Sequence, residues 1–168
     1  MNSIRIKTVL VAGGCAAFFA ATPAWADTKG TTLNVSASVD HNCSVSANPV
    51  NFGPVDTLSS SPVLGSGSVE VTCTNGTGWS ASADAGEGSG ASFDTRRLTS
   101  SGNTIDYTLY RDAARTQIWG DGSGSTFTVA GTGSGSQQSF TVWGRIPGGQ
   151  SSAPAGSYTD RVNVTITY

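Results

Sequence analysis

Apolar and polar residues alternate along most of this chain, and the alternation is cleanest near its two ends. Val162, Val164, Ile166 and Tyr168 are interleaved with Asn163, Thr165 and Thr167. That is the period of two expected of a half-buried strand. A strand with one buried face normally pairs on both sides. This one is the last stretch of the sequence, so it is expected either at a sheet edge or beside a neighbour supplied from elsewhere. Residues 31–39 are the best candidate for that neighbour, with Leu33, Val35, Ala37 and Val39 on one face. The same nine residues would serve equally as an ordinary first strand paired within their own domain.

The pattern between the ends predicts more short strands. Asp40-His41-Asn42 interrupts, residues 43–47 resume the alternation, and Asn48-Pro49 ends it before a brief strand at residues 50–53. Residues 57–67 are rich in Ser and Pro and read as a loop, with Leu58, Val63 and Leu64 as its apolar positions. Residues 68–73 alternate again and point Cys73 inward with Val69 and Val71. Asn75-Gly76 is a strong turn signal. Further runs follow at residues 79–83, 93–98, 104–110, 117–119 and 126–130, separated by glycine- and serine-rich turns. Residues 138–146 form the longest central candidate, with Phe140, Val142 and Ile146 on one face. After residue 26 no window carries a helical stripe. The layout is that of an all-β sandwich or barrel, without an internal repeat or a second domain.

Residues 1–26 break the pattern. Arg5 and Lys7 precede an apolar run over residues 9–21, and Ala24-Trp25-Ala26 is a small-x-small cleavage site. These are the three parts of a secretory signal peptide. The run is interrupted by Gly13-Gly14 and falls short of the ~20 apolar residues that span a bilayer. Cys15 lacks the large aliphatic residue three places upstream that lipidation uses. Cleavage leaves residues 27–168, enough for one domain, and no membrane span after it is expected. Loss of Arg5 and Lys7 takes the formal charge from −2 to −4. The remaining cations are scattered, so the clustered basic face of a nucleic-acid binder is absent.

Cys43 and Cys73 are then the only cysteines left. An even count in an exported chain reads as one disulfide, here closing a 31-residue loop. Such a loop contributes roughly 3–4 kcal/mol. No catalytic constellation emerges. His41 is the sole histidine, which removes most imidazole metal sites. There is no G-x-S-x-G elbow to pair with it, and His41 reads as a solvated loop residue. Asp84, Glu87, Asp94 and Asp106 show no spacing that favours a glycosidase pair. The glycine clusters Gly122-Ser-Gly124 and Gly131-Thr-Gly133 are not followed by a helix. No metal, cofactor or enzymatic activity is expected. Trp79, Tyr107, Tyr110, Trp119 and Trp143 fit either a core or a sugar-stacking platform, and their alternating positions favour the core.

Several motifs are more specific. Cys43 with Asn51-Phe52-Gly53 following, Tyr107-Thr-Leu-Tyr-Arg-Asp112 continuing to Arg115, Trp143-Gly-Arg-Ile-Pro147 with Gln150, and Pro154-Ala-Gly-Ser-Tyr-Thr-Asp160 before the final strand together resemble the spore coat protein U domain family. That family includes subunits of archaic, Csu-type chaperone–usher pili. The resemblance covers essentially all of residues 27–168. It implies an immunoglobulin-like antiparallel β-sandwich that lacks its last strand, with residues 41–168 as the domain and residues 27–40 as an N-terminal donor-strand segment. A periplasmic chaperone would fill the groove first, and an outer-membrane usher would export the subunit. The N-terminal segment of the next subunit would then replace the chaperone, a form of β-augmentation. Leu33, Val35, Ala37 and Val39 would be the plugs, and Val162, Val164, Ile166 and Tyr168 the acceptor edge. The implied partners are identical or related pilins head-to-tail. The implied location is the cell-surface fimbrium, reached through the periplasm, with attachment and biofilm formation as the role. One domain resembles a rod or minor subunit rather than a two-domain tip adhesin. A self-contained lectin-like module is the alternative.

Overall fold

A computed structural model describes residues 25–168. Most of the expected signal peptide lies outside the described residues. Residues 38–168 form one compact unit, and residues 25–37 fall outside it. Among the described residues there is no helix, and none is long and apolar enough to cross a membrane.

The compact unit contains eight strands: β1 (Cys43–Asn51), β2 (Val63–Cys73), β3 (Gly78–Ala83), β4 (Arg96–Ser100), β5 (Asn103–Tyr110), β6 (Val129–Thr132), β7 (Gln138–Ile146) and β8 (Val164–Thr167). They build two antiparallel sheets, one of five strands in the order β1-β2-β7-β5-β4, the other of three in the order β6-β3-β8. The result is the antiparallel, immunoglobulin-like β-sandwich that the resemblance implies. The core lies between the sheets, where the inward positions of each strand meet. Val69 and Val71 come from β2, Ala81 and Ala83 from β3, Leu109 from β5, and Val142 and Ile146 from β7. Burial of each larger aliphatic side chain stabilises the fold by about 1.5–3 kcal/mol. Trp119 packs edge-on to Phe140 with ring centroids 5.6 Å apart. Its indole N–H donates to the Ala81 carbonyl at 3.1 Å, so this buried polar group is satisfied.

Where periodicity was strong, the strands fall as expected. β7 spans the same residues as its sequence pattern. β4 and β5 join through Ser101-Gly102, both at positive φ, the backbone of a two-residue hairpin turn. Two expectations need correction. Residues 43–47 and 50–53 are not separate strands: β1 runs through Asn48-Pro49 by a register shift between Asn48 and Asn51. The loop expected over residues 57–67 ends early, because β2 begins at Val63. The cause is the same in both places. A Cβ on Gly67 would stand 2.6 Å from the Asn48 carbonyl oxygen, and one on Gly65 2.9 Å from that of Asn51. These glycines admit the irregular part of β1 against β2, so they mark close backbone approach and not a loop.

The β1–β2 pairing also places Cys43 opposite Cys73. The two form the expected disulfide, with Cα atoms 4.1 Å apart.

Candidate functional site, an apolar groove between two sheet edges

β1 is one edge of the large sheet, with β4 at the other, and β8 is one edge of the small sheet, with β6 at the other. β1 pairs only with β2, and β8 only with β3. Each therefore presents a row of backbone N–H and C=O groups without a sheet partner. The inward faces of the two edges are also thinly covered. In β1, Val45 lies opposite Val71 and Ala47 opposite Val69. Residues directly opposite in an antiparallel pair share a face, so both point toward the core. Val71 is fully buried, yet Val45 remains 42% exposed.

On the other side, Val162, Val164 and Ile166 are half-buried and alternate with exposed Asn163, Thr165 and Thr167. Their small cross-strand partners sharpen the gap: Ile166 faces Ala81 and Val164 faces Ala83. Tyr168 lies beyond β8 and is 56% exposed, and Val162 precedes the strand. The acceptor edge expected over residues 162–168 is thus shorter as a strand, but its inward positions keep their alternation.

Between β1 and β8 lies a cavity of about 220 Å³. Ala47 and Val50 form one wall, Val162 and Val164 the other, and the floor includes Leu109, Trp119 and Val142. Its walls and floor are mainly apolar. Asn48, Ser68, Tyr107 and Asp160 are the polar residues of the lining, and the last two carry the exception that matters here.

That exception belongs to a buried network at the entry to β8. Arg96 is 0% exposed. Its guanidinium donates to the Asp84 carbonyl through Nε and Nη2, to that of Phe93 through Nη1, and to that of Trp119 at 2.7 Å. Burial lowers its pKa from the ordinary value, while Tyr107 and the Asp84, Asp160 and Asp94 carboxylates oppose that shift. The Tyr107 hydroxyl donates to Asp160 Oδ2 at 2.6 Å. Burial, and then this hydrogen bond and the Asp160 charge, push the tyrosine far above its usual pKa. Asp160 Oδ1 accepts from the Glu87 and Arg161 amides. Asp84 in turn accepts from the Asn163 backbone and side-chain amides, at 3.0 and 2.6 Å. Burial works to raise the Asp84 pKa, but the hydrogen bonds from Asn163 and Gly86, with the Arg96 charge, bring it below the ordinary value. Only glycine fits at residue 86, where φ is +84° and a Cβ would collide with Asp160. Through Asn163 the network holds the chain between the wall residues Val162 and Val164.

The N-terminal candidates are placed differently from every other apolar alternation in the chain. Residues 25–42 carry no strand, and Leu33, Val35 and Val39 are 84%, 87% and 83% exposed. Three large aliphatic side chains this exposed at alternate or near-alternate positions are uncommon without a partner surface.

The remaining candidates are accounted for by packing. Trp79, Tyr107 and Trp119 are buried in the core, so they cannot stack on a sugar. Trp143 is half-buried under the Arg115 guanidinium, 5.4 Å from its ring centroid. His41 lies on an exposed stretch, hydrogen-bonded through Nδ1 to Thr77 Oγ1 at 2.8 Å. Among the carboxylates, Asp106 pairs with Arg97 at 3.4 Å and Glu87 with Arg161 at 3.7 Å. No group of three or more His, Cys, Asp and Glu side chains among the described residues could hold a metal ion. Arg96 and Asp160 are the residues sequence reasoning missed. The first looked like one more scattered cation, and the second like a turn residue. The only signal was the pair of motifs containing Tyr107 and Asp160, which meet here in one hydrogen bond.

Known proteins share this architecture. The chain is 33% identical, over an alignment of 187 positions covering all of both sequences, to Protein U of Myxococcus xanthus. It superposes, with a TM-score of 0.58 and 20% identity, on a chain of the pre-assembly complex between the CsuC chaperone and the CsuE tip adhesion subunit of archaic chaperone–usher Csu pili from Acinetobacter baumannii. That superposition covers 77% of this chain and 40% of the other, and it bears on the fold alone. The Spore Coat Protein U domain matches residues 29–165, which takes in every strand of the sandwich but the last two residues of β8 together with the exposed N-terminal segment, and the chain belongs to that family.

Proposed function

We propose that this protein is a structural subunit of a chaperone–usher surface fibre, assembled by donor-strand complementation. The observation that carries the proposal is a matched pair within one chain. An apolar groove lies open between β1 and β8, and an unpaired segment with Leu33, Val35, Ala37 and Val39 on one face is exposed to water. A strand laid in the groove would pair with the free edge of β8 and bury its alternate side chains over Val162, Val164 and Ile166. Each larger plug would contribute about 1.5–3 kcal/mol, in addition to the backbone ladder. The donor is the segment of another copy, which makes the assembly head-to-tail. A heterologous contact of that kind does not close and yields a filament.

On this reading residues 1–26 direct export, a periplasmic chaperone holds the groove until assembly, and an outer-membrane usher passes the subunit to the surface. The CsuC–CsuE complex, a chaperone bound to a pilus subunit, supports such a route. The finished fibre serves attachment and biofilm formation. The activity is mechanical, without cofactor or catalysis.

The test is an unheated denaturing gel and size-exclusion run on periplasmic protein, beside a variant lacking residues 27–39. A ladder of detergent-resistant multimers that collapses on boiling, and is absent from the shortened chain, is the expected result. A well-behaved monomer in both cases would overturn the proposal.

A further inference from the structure

If residues 31–39 can fill a groove, their own groove is the nearest one. Only Asp40, His41 and Asn42 separate this segment from β1. A three-residue connection is long enough for a β-hairpin, so chain length alone would let residues 31–39 fold back along the free edge of β1. Such a chain would complete itself and could not polymerise.

The structure holds those three residues in another course. Beyond the Cys43–Cys73 disulfide the β1–β2 ladder continues one step, with the Thr74 amide donating to the Asn42 carbonyl at 2.9 Å. The Asn42 amide donates to Thr74 Oγ1, and that hydroxyl donates to the Asp40 carbonyl, both at 3.2 Å. His41 Nδ1 is hydrogen-bonded to Oγ1 of Thr77, a buried residue. The receiving turn is itself fixed. Thr77 donates to the Thr74 carbonyl, Gly76 to that of Gly133, and Gly133 to that of Thr77. Residues 40–42 therefore run along the turn between β2 and β3, held past the disulfide end of β1. The groove wall at Ala47 and Val50 lies toward the opposite end of the strand. A hairpin would require the chain to reverse at 40–42 and give up the contacts to Thr74 and Thr77.

We infer that the contacts of Asp40, His41 and Asn42 with Thr74 and Thr77 form a latch that prevents the subunit from complementing itself and reserves its donor segment for a second copy of the chain. The latch rests on the donor-strand reading and adds to it the residues that decide between self-pairing and exchange. His41 and Thr74 are positioning residues in this device, and neither lines the groove.

The experiment uses the full chain carrying His41→Ala and Thr74→Val, with Thr77 left intact. Three readouts are compared with the parent: the ratio of detergent-resistant multimers to monomer on an unheated gel, amide exchange of residues 33–39 in the isolated monomer, and binding of a synthetic peptide of residues 31–39. Peptide binding is measured on chains whose own donor is disabled by Val35→Asp. The expected result is a multimer-to-monomer ratio at least about tenfold lower, the effect of losing two side chains' hydrogen bonds. Residues 33–39 are expected to become protected within the monomer, while peptide binds the Val35→Asp chains equally with and without the latch substitutions. Restoring the hydroxyl through Thr74→Ser, with His41 in place, is expected to restore multimers. Unchanged multimer yield overturns the latch, and so does a monomer whose residues 33–39 exchange freely. A parent that forms no multimers, with no peptide binding to its Val35→Asp form, overturns the donor-strand reading itself.

Discussion

Arg96 is the residue on which the small-sheet side of the core depends. Its guanidinium satisfies three carbonyls, those of Asp84 and Phe93 in part-buried bonds and that of Trp119 in a fully buried one. Arg96→Ala would leave all three unpaired around a cavity, and a loss of about 3–5 kcal/mol is expected in denaturant unfolding. Tyr107 acts through one atom. Tyr107→Phe removes a hydrogen bond to a charged acceptor, worth about 1.5–3 kcal/mol. It also changes the alkaline limb of the stability curve. The folded-state pKa of Tyr107 is raised, whereas the unfolded chain releases the proton near pH 10. The stability from this group is therefore complete below about pH 10 and declines above it, by up to ~1.4 kcal/mol per pH unit. Unfolding curves from pH 8 to 11 are expected to fall less steeply for Tyr107→Phe than for the parent. None of this was legible in the pattern of the chain. Alternation assigns Tyr107 to an inward face, but the acceptor waiting there lies 53 positions further along.

Among the elements, β8 is short, and the residues before it do much of the holding. Asn163 donates two hydrogen bonds to the Asp84 carboxylate, and its carbonyl accepts a third from the Asp84 amide. Asp84→Ala is expected to loosen this edge without unfolding the sandwich. Amide exchange of residues 163–167 would then accelerate severalfold while β7 stays protected. Because the Asp84 pKa is depressed in the fold, the same tether is present at neutral pH and weakens as pH falls below about 4. At the other wall, the disulfide joins β1 to β2 at the first residue of one and the last of the other. Replacing both cysteines by serine is expected to lower stability by roughly 3–4 kcal/mol. A smaller loss would mean that the β1–β2 ladder alone fixes the edge. β7 and β5 could be read from alternation, since each buries one face along its length. β1 could not, because its course through Asn48-Pro49 depends on glycines in a strand that the sequence does not mark as its neighbour.

For the molecule as a whole, the proposed assembly turns on the cavity between β1 and β8. On the proposed function, a chain extended after Tyr168 by a short turn and a second copy of residues 31–39 would fill its own groove. It is expected to stay monomeric on the unheated gel and to unfold at a higher denaturant concentration than the parent. Monomers no more stable than the parent would show that the groove does not accept this segment. The surface that such a strand covers is apolar and nearly uncharged, so multimers of the parent are expected to persist in molar salt, where exposed ion pairs are screened.

The sequence by itself determined the class of fold, the disulfide and the presence of two unusual alternating segments at the ends, because each of these follows from local periodicity or from a count of residue types. It also carried the family through motifs whose members are short and contiguous. The tertiary structure alone decided that β1 and β8 are edge strands with a cavity between them, since edge position depends on strand order across two sheets. It alone placed Arg96 in the core, where four hydrogen bonds replace the water that a scattered surface cation would keep. It also showed residues 40–42 lying along the Thr74–Thr77 turn, a contact between stretches more than thirty positions apart. Periodicity reports which way a side chain points; what it meets there is fixed only when distant strands are brought together.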